Sequence, residues 1–212
     1  NNNENFVIAI GYFTSFFNET FKPYKEDWIF KEVQIIPYNK FCERMLLEKS
    51  NHAATAKLYR KSLFDNLRFQ FNKKNEDTLF DADLISIIER NKFQCIDVPD
   101  YSYYYRQRND SICHDESDPL EWHIYENMEA IIKRFKNRKE IVLQLRQKQL
   151  NIAVPLLATY IREKKAQLFF SHIKYIESIP NTTVFLKRDL KFTIYFLLLK
   201  YTPKLLYQTK RE

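Results

Sequence analysis

Glycine is almost missing from this chain: its 212 residues include only Gly11. Phosphate-cradling loops of the P-loop or dinucleotide-binding type need several glycines, so that backbone N–H groups can come close to the phosphate. Neither loop is encoded here. Cysteine is sparse as well, at Cys42, Cys95 and Cys113, odd in number and without a CxxC spacing. That pattern fits reduced thiols in a cytosolic protein and carries no zinc signal. His52, His114, His123 and His172 are scattered without ligand spacing. No stretch of about 20 apolar residues occurs, so no transmembrane helix is expected. The Asn-rich, acidic start lacks the basic-then-apolar order of a signal peptide.

What is present points to a folded, aromatic-rich, basic protein. Hydrophobic residues make up 45% of the chain, enough for a core and against global disorder. Fourteen tyrosines and eighteen phenylalanines suit aromatic packing, a ring-stacking surface or membrane-facing positions. Lys and Arg exceed Asp and Glu by 34 to 27, a net +7 that favours phosphate-bearing partners or anionic lipid and also serves plain solubility.

Periodicity divides the chain. Phe6–Phe13 reads as a buried strand, and 33–36 as a short strand before Pro37. Residues 39–48 read as a helix and 56–60 as an extended piece, with Ser62 placed to cap a short helix that turns Leu63, Phe64 and Leu67 inward. A helix over about 78–91 follows, with Leu79, Phe80, Leu84, Ile87 and Ile88 at helical spacing. Gln94–Val98 and Tyr101–Arg106 read as two strands flanking a turn at Pro99-Asp100. From Asp118 onward only helical periodicity appears, with Pro155 expected to kink or split one helix. The expected fold class is therefore α+β: a mixed region over 1–116 and an all-helical region over 117–212.

Two constellations could carry chemistry. Asn75-Glu76-Asp77 stands at the head of an apolar helical run. A carboxylate there can cap the first helical N–H groups, or it can be held ionised by the helix dipole and take a proton from an attacking hydroxyl. Tyr103 to Arg108 reads Tyr-Tyr-Tyr-Arg-Gln-Arg. In an alternating strand Tyr104, Arg106 and Arg108 share a face, either as a solvated surface or as a cradle for a diphosphate beside stacking rings. Asp81-Ala82-Asp83 has the letters of a DxD metal motif but falls inside a helix, where positions i and i+2 point about 200° apart. It is not taken as a metal site. Near the C-terminus, Lys187, Arg188, Lys191, Lys200, Lys204, Lys210 and Arg211 surround an apolar run and face only Asp189 and Glu212. Such a helix either lies at an anionic membrane surface or docks on the protein's own core.

The order of these pieces resembles the later part of family 2 glycosyltransferases with a GT-A fold, especially bacterial enzymes of capsule and surface-polysaccharide synthesis. The matching text is Ala56-Lys57-Leu58-Tyr59-Arg60-Lys61-Ser62-Leu63-Phe64, then Glu76-Asp77-Thr78-Leu79-Phe80, then Tyr103 to Arg108 with Asn109-Asp110-Ser111-Ile112. It covers roughly residues 6–115, and the helical tail follows more loosely. One departure is local: where the family carries Asn before Lys-Leu-Tyr, this chain has Ala56.

The resemblance implies an inverting transfer of sugar from a nucleotide-diphosphate sugar to the hydroxyl of a saccharide or lipid-linked acceptor. It implies Asp77 as catalytic base with Glu76 supporting the acceptor side, Lys57 and Tyr59 in the binding block, and Tyr105, Arg106 and Arg108 near the donor diphosphate. It also implies a divalent metal, Mn²⁺ or Mg²⁺, in the complete enzyme, whose DxD motif and nucleotide-binding half come before the region matched here. The expectation is thus an acceptor-side portion, inactive without that half, cytoplasmic and peripheral on the inner face of the membrane. Nucleic acid is not an expected partner of that enzyme. The alternative is a non-catalytic basic helical module binding an anionic membrane or nucleic acid, which a salt-dependent, sugar-independent affinity would reveal.

Overall fold

Two long strands lying parallel to each other organise the first half of the chain. The computed structural model describes residues 6–17, 20–22, 32–46, 54–71, 74–106, 120–181 and 190–209. Strand β1 (Phe6–Phe17) runs parallel to a later strand, Gln94–Arg106. Between them in sequence come β2 (Thr20–Lys22), β3 (Gln34–Ile36), helix α1 (Tyr38–Leu46), β4 (Lys57–Tyr59), a 3₁₀ turn over Lys61–Asp65, and α2 (Glu76–Asn91). The Gln94–Arg106 strand is β5. The sheet order is β2-β1-β5-β3, and β4 pairs antiparallel with the other end of β1's free edge. With its helices the molecule is α+β.

The register explains which side chains meet. Ile8 lies opposite Tyr59 and Cys95, while Ile10 lies opposite Lys57 and Asp97. Residues two apart on a strand share a face, so Ile8, Ile10, Lys57, Tyr59, Cys95 and Asp97 point the same way. Asp97 there meets Arg44 of α1, and the Tyr59 ring meets Phe80 of α2. The helices thus cover that face, burying Phe41, Cys42 and Met45 from α1 and Leu79, Phe80, Leu84, Ile85 and Ile88 from α2. Each fully buried side chain of this size contributes about 1.5–3 kcal/mol.

Pro99 does not end a strand. β5 continues through it, using four residues from Asp97 to Tyr101 where β1 uses two from Ile10 to Tyr12. The extra residues form an irregularity in which proline's missing N–H breaks no ladder bond. Nor does Ser62 cap a helix: it lies inside the 3₁₀ turn, whose preceding residue is Arg60. Leu63 and Leu67 are buried as expected, and Phe64 only partly.

The chain divides into two compact units, Asn1–Arg134 and Phe135–Glu212. Helix α3 (Leu120–Arg134) belongs by packing to the first, although the sequence turns helical some way before that boundary. The second unit holds α4 (Lys139–Arg162), α5 (Ala166–His172), α6 (Lys174–Glu177), α7 (Leu190–Tyr201) and α8 (Pro203–Thr209). Its core includes Leu145, Leu150, Leu157, Phe169, Ile176, Phe196 and Leu199. Helix α4 runs through Pro155 without splitting, and the ring sits on the exposed side. Among the described residues, no helix is long and apolar enough to cross a membrane.

Glycine scarcity leaves a mark on the backbone. Ala56, Asn75, Lys92 and Lys164 all take positive φ, near 55°, the region glycine adopts without penalty. Lys92 does so at the end of α2, where its N–H and that of Phe93 return to the Glu89 and Ile88 carbonyls and close the helix.

Candidate functional site

Helix α2 begins at Glu76, two residues earlier than its apolar pattern suggests, so Glu76 and Asp77 fill its first turn. The residue before it, Asn75, has φ 54° and ψ 38° and makes no side-chain cap. Its Nδ2 instead donates to Thr78 Oγ1 at 2.6 Å. The turn is pinned from outside: Asn127 of α3, buried, donates from Nδ2 to the carbonyls of Asn75 at 2.9 Å and Lys74 at 3.2 Å. Asn127 was not singled out in the sequence, where a lone Asn within an apolar helix gives no hint of its partner.

Strand β4 brings a second set of groups to the same place. The backbone reverses at Ala56 (φ 56°), whose carbonyl accepts from Gly11 N–H at 2.8 Å. Lys57 and Tyr59 then project on the helix side of the sheet. Tyr59 packs edge-on to Phe80 and Phe64, with ring centroids 5.8 and 5.6 Å away. Its hydroxyl points back to the Ala54 carbonyl at 3.5 Å. The Ala54 N–H donates to the Asp77 carboxylate, so one short loop links the phenol and the acid.

The charges here act on one another. Burial pushes the Asp77 carboxyl above its usual range; Glu76 and Asp81 add to the push, against the Ala54 N–H and the Lys57 ammonium. Lys57 is held below the usual lysine range by burial, with Asp81 and then Asp77 opposing the shift. Burial likewise raises the Tyr59 phenol, helped by Asp81 and Asp77. A helix start by itself would favour an ionised Asp77. Desolvation and two neighbouring acids outweigh that pull, giving a carboxylate with greater proton affinity than an exposed one.

Asp81 is part of this set, being nearly fully buried and one helical turn from Asp77. Asp83 points elsewhere and pairs with Arg134 of α3 at 2.6 Å. The two halves of the Asp81-Ala82-Asp83 triplet thus diverge, in keeping with its helical placement. Among the described residues, no three His, Cys, Asp or Glu side chains gather as a metal-holding set.

An open groove of about 370 Å³ lies on the other face of the sheet, that of Ala9, Gly11, Leu58 and Val98, and Ala56, Lys57, Asp100 and Tyr103 complete its lining. The only glycine of the chain therefore has a place: without a Cβ it leaves the groove floor low. Tyr103 reaches this groove. Tyr105 and Arg106 lie further along, opposite Ser15 and Phe16 of β1, whereas Lys57 is opposite Ile10. At about 3.4 Å per residue that offset is roughly 17 Å. The structure thus gathers Asp77, Glu76, Lys57 and Tyr59, and sets Tyr105 and Arg106 at the far end of the same strand pair. Only an extended ligand would bridge the two. Arg108 lies outside the described residues.

A second polar cluster lies on the same sheet face. Arg44 Nε donates to Asp97 Oδ2 at 3.0 Å, and Nη2 also contacts that oxygen. Tyr12 Oη donates to Asp97 Oδ1 at 3.0 Å and accepts from Arg44 Nη2 at 3.1 Å. Burial, then the Asp97 charge, lifts the Tyr12 phenol to about 12. Sequence reading did not find this triad, because its members are 32 to 85 residues apart.

No protein-family model matches the chain, and no curated protein matches it.

Proposed function

We propose that this chain carries the acceptor side of an inverting family 2 glycosyltransferase with a GT-A fold, acting in surface or capsular polysaccharide synthesis. What supports the reading is the meeting of two separate sequence blocks, Lys57-Leu58-Tyr59 and Glu76-Asp77, around one partly exposed carboxylate of raised proton affinity. The substrates would be a nucleotide-diphosphate sugar and a saccharide or lipid-linked acceptor.

In this reaction Asp77 takes the proton as the acceptor hydroxyl attacks the anomeric carbon. The carbon–oxygen bond to the diphosphate breaks from the opposite side, its electron pair leaves with the phosphate, and configuration inverts. A base whose proton affinity lies above that of free aspartate accepts the proton more readily. Lys57 offsets the negative charge of the acid cluster, and Glu76 lies next to the base to orient the acceptor. Tyr105 and Arg106, with their aromatic and cationic groups, would meet the diphosphate end of an extended donor.

The test expresses this chain in its full genomic reading frame and supplies nucleotide sugars with Mn²⁺ or Mg²⁺. Sugar transfer that falls by about 10²–10⁴-fold in Asp77→Asn supports the base assignment. Transfer at an unchanged rate in that variant removes Asp77 from the chemistry. No transfer to any saccharide or lipid-linked acceptor removes the glycosyltransferase reading.

A further inference from the structure

Helices α7 and α8 are apolar on two faces, one buried in the second unit and the other largely exposed, where the Tyr201 hydroxyl accepts a hydrogen bond from Asn181 Nδ2 at 2.7 Å. Thr193, Phe196, Leu199, Leu206 and Tyr207 are buried. On the other side Leu190, Ile194, Leu198, Tyr201 and Leu205 recur every three or four residues and are 74, 49, 38, 61 and 58% exposed. This spacing draws one stripe along a helix surface. The stripe crosses the α7–α8 junction, because Thr202 N–H bonds to the Leu198 carbonyl and Leu206 N–H to that of Thr202. A continuous exposed apolar stripe of this length marks an interaction surface.

The charges beside it select the partner. Lys191 and Lys204 are exposed, and at 100° per residue they fall on opposite edges of the stripe. Lys200 is engaged inward, donating to the Ile179 carbonyl at 2.6 Å. The α7 and α8 segments contain no Asp or Glu. Two copies meeting through this stripe would bring lysine edges together, which disfavours a symmetric pair. An apolar band edged by lysines matches instead the boundary of an anionic bilayer, where leucines enter the acyl region and ammonium groups meet phosphates.

We propose that the outward face of α7 and α8 is a docking surface for an anionic lipid bilayer, with the helices lying in the plane of the interface. This goes beyond the sugar-transfer reading and does not rest on it. The experiment is co-sedimentation of the whole chain with vesicles of phosphatidylcholine alone or mixed with phosphatidylglycerol, at low and high salt.

Binding to the mixed vesicles alone, weakened by salt, is expected. Lys191→Gln with Lys204→Gln should weaken it roughly thirtyfold, and Ile194→Ser with Leu205→Ser by at least about tenfold. All four positions are exposed, and unchanged thermal melting of the variants would show that the fold persists. Absence of binding to the mixed vesicles overturns the proposal, as does binding that ignores the Ile194/Leu205 pair. A lipid-independent dimer that the same apolar pair dissociates, in a chain that does not sediment with vesicles, would reassign the stripe to self-association.

Discussion

Two clusters, each with a cation, a carboxylate and a tyrosine, sit on the same face of one sheet, and their surroundings set them apart. In the first, Arg44, Asp97 and Tyr12 are sealed under α1, with the ion-pair side chains 9 and 1% exposed. Charges balance, and both Asp97 oxygens accept bonds. In the second, Lys57, Asp77, Asp81, Glu76 and Tyr59 sit where β4 meets α2, all but Asp81 partly exposed, and acids outnumber the cation. The same residue types thus serve two ends. A balanced, closed set fixes strand to helix, while an unbalanced set near solvent leaves a carboxylate with proton affinity to spend on chemistry.

The comparison breaks most readily at the sealed cluster. Removing one partner strands a buried charge, so Arg44→Ala or Asp97→Ala should destabilise the chain by about 3–5 kcal/mol in urea unfolding. Replacing both by Arg44→Met with Asp97→Leu should recover much of that loss, since well-packed apolar groups avoid the desolvation cost. A loss below about 1 kcal/mol for either single change would show that the cluster is solvated and not unlike the open one.

Next in size is the support of the open cluster. Asn127→Ala removes two hydrogen bonds to the turn before α2 and leaves two carbonyls without that donor, an expected loss of about 1–2 kcal/mol. The turn bearing Glu76 and Asp77 should loosen with it, seen as faster amide exchange at Thr78 and Leu79 with little change in α1. Equal loosening in α1 would mean that the two clusters are not separately supported.

Much of this arrangement could be read from the residues before the fold was known, and some of it could not. Strand β1, the extended piece at 57–59 and the apolar rows of α2 and α4 follow from spacing, which is a local property. The turn expected at Pro99 fails because pairing with β1 absorbs the proline in an irregular stretch. The cap expected from Ser62 fails because the chain tightens into a 3₁₀ turn whose burial of Leu63 decides the geometry. The Arg44–Asp97–Tyr12 triad and the Asn127 contacts join residues far apart in the chain, and no pattern within one window encodes them. Asp81 was legible as a helical residue but not as a neighbour of Lys57, since that requires β4 beside α2. The distance along β5 between the groove and Arg106 likewise depends on register.

The electrostatic contrast has its own pH signature. Because the Asp77 carboxyl binds its proton more tightly in the folded chain than in the unfolded one, stability falls as pH rises from the ordinary aspartate value, about 3.9, to the raised one. Above that window the cost is fully present. Asp77→Asn keeps an oxygen for the Ala54 N–H and carries no charge, so it should be more stable than the parent at neutral pH. Allowing for solvent screening at a partly exposed site, the gain is at most about 1 kcal/mol. It should vanish below about pH 3.9, where the parent carboxyl is neutral in both states. Melting curves across pH check it, and a gain independent of pH would place its cause in packing.

The smallest effect isolates the backbone that holds the open cluster. Ala56 and Asn75 flank the site, one before β4 and one before α2, with φ of 56° and 54°. Asparagine tolerates this left-handed region, while alanine pays for its Cβ. Ala56→Asn should therefore stabilise the chain by about 0.5–1 kcal/mol, because the Gly11–Ala56 hydrogen bond uses only backbone atoms and survives the change. The reciprocal Asn75→Ala should destabilise by a similar or greater amount, since it adds left-handed strain and removes the 2.6 Å bond to Thr78. Chemical unfolding of both variants decides it. If Ala56→Asn is neutral or harmful, the strain at Ala56 is relieved by its surroundings, and the loop before β4 is held by the Asp77 and Tyr59 contacts to Ala54 more than by its own conformation.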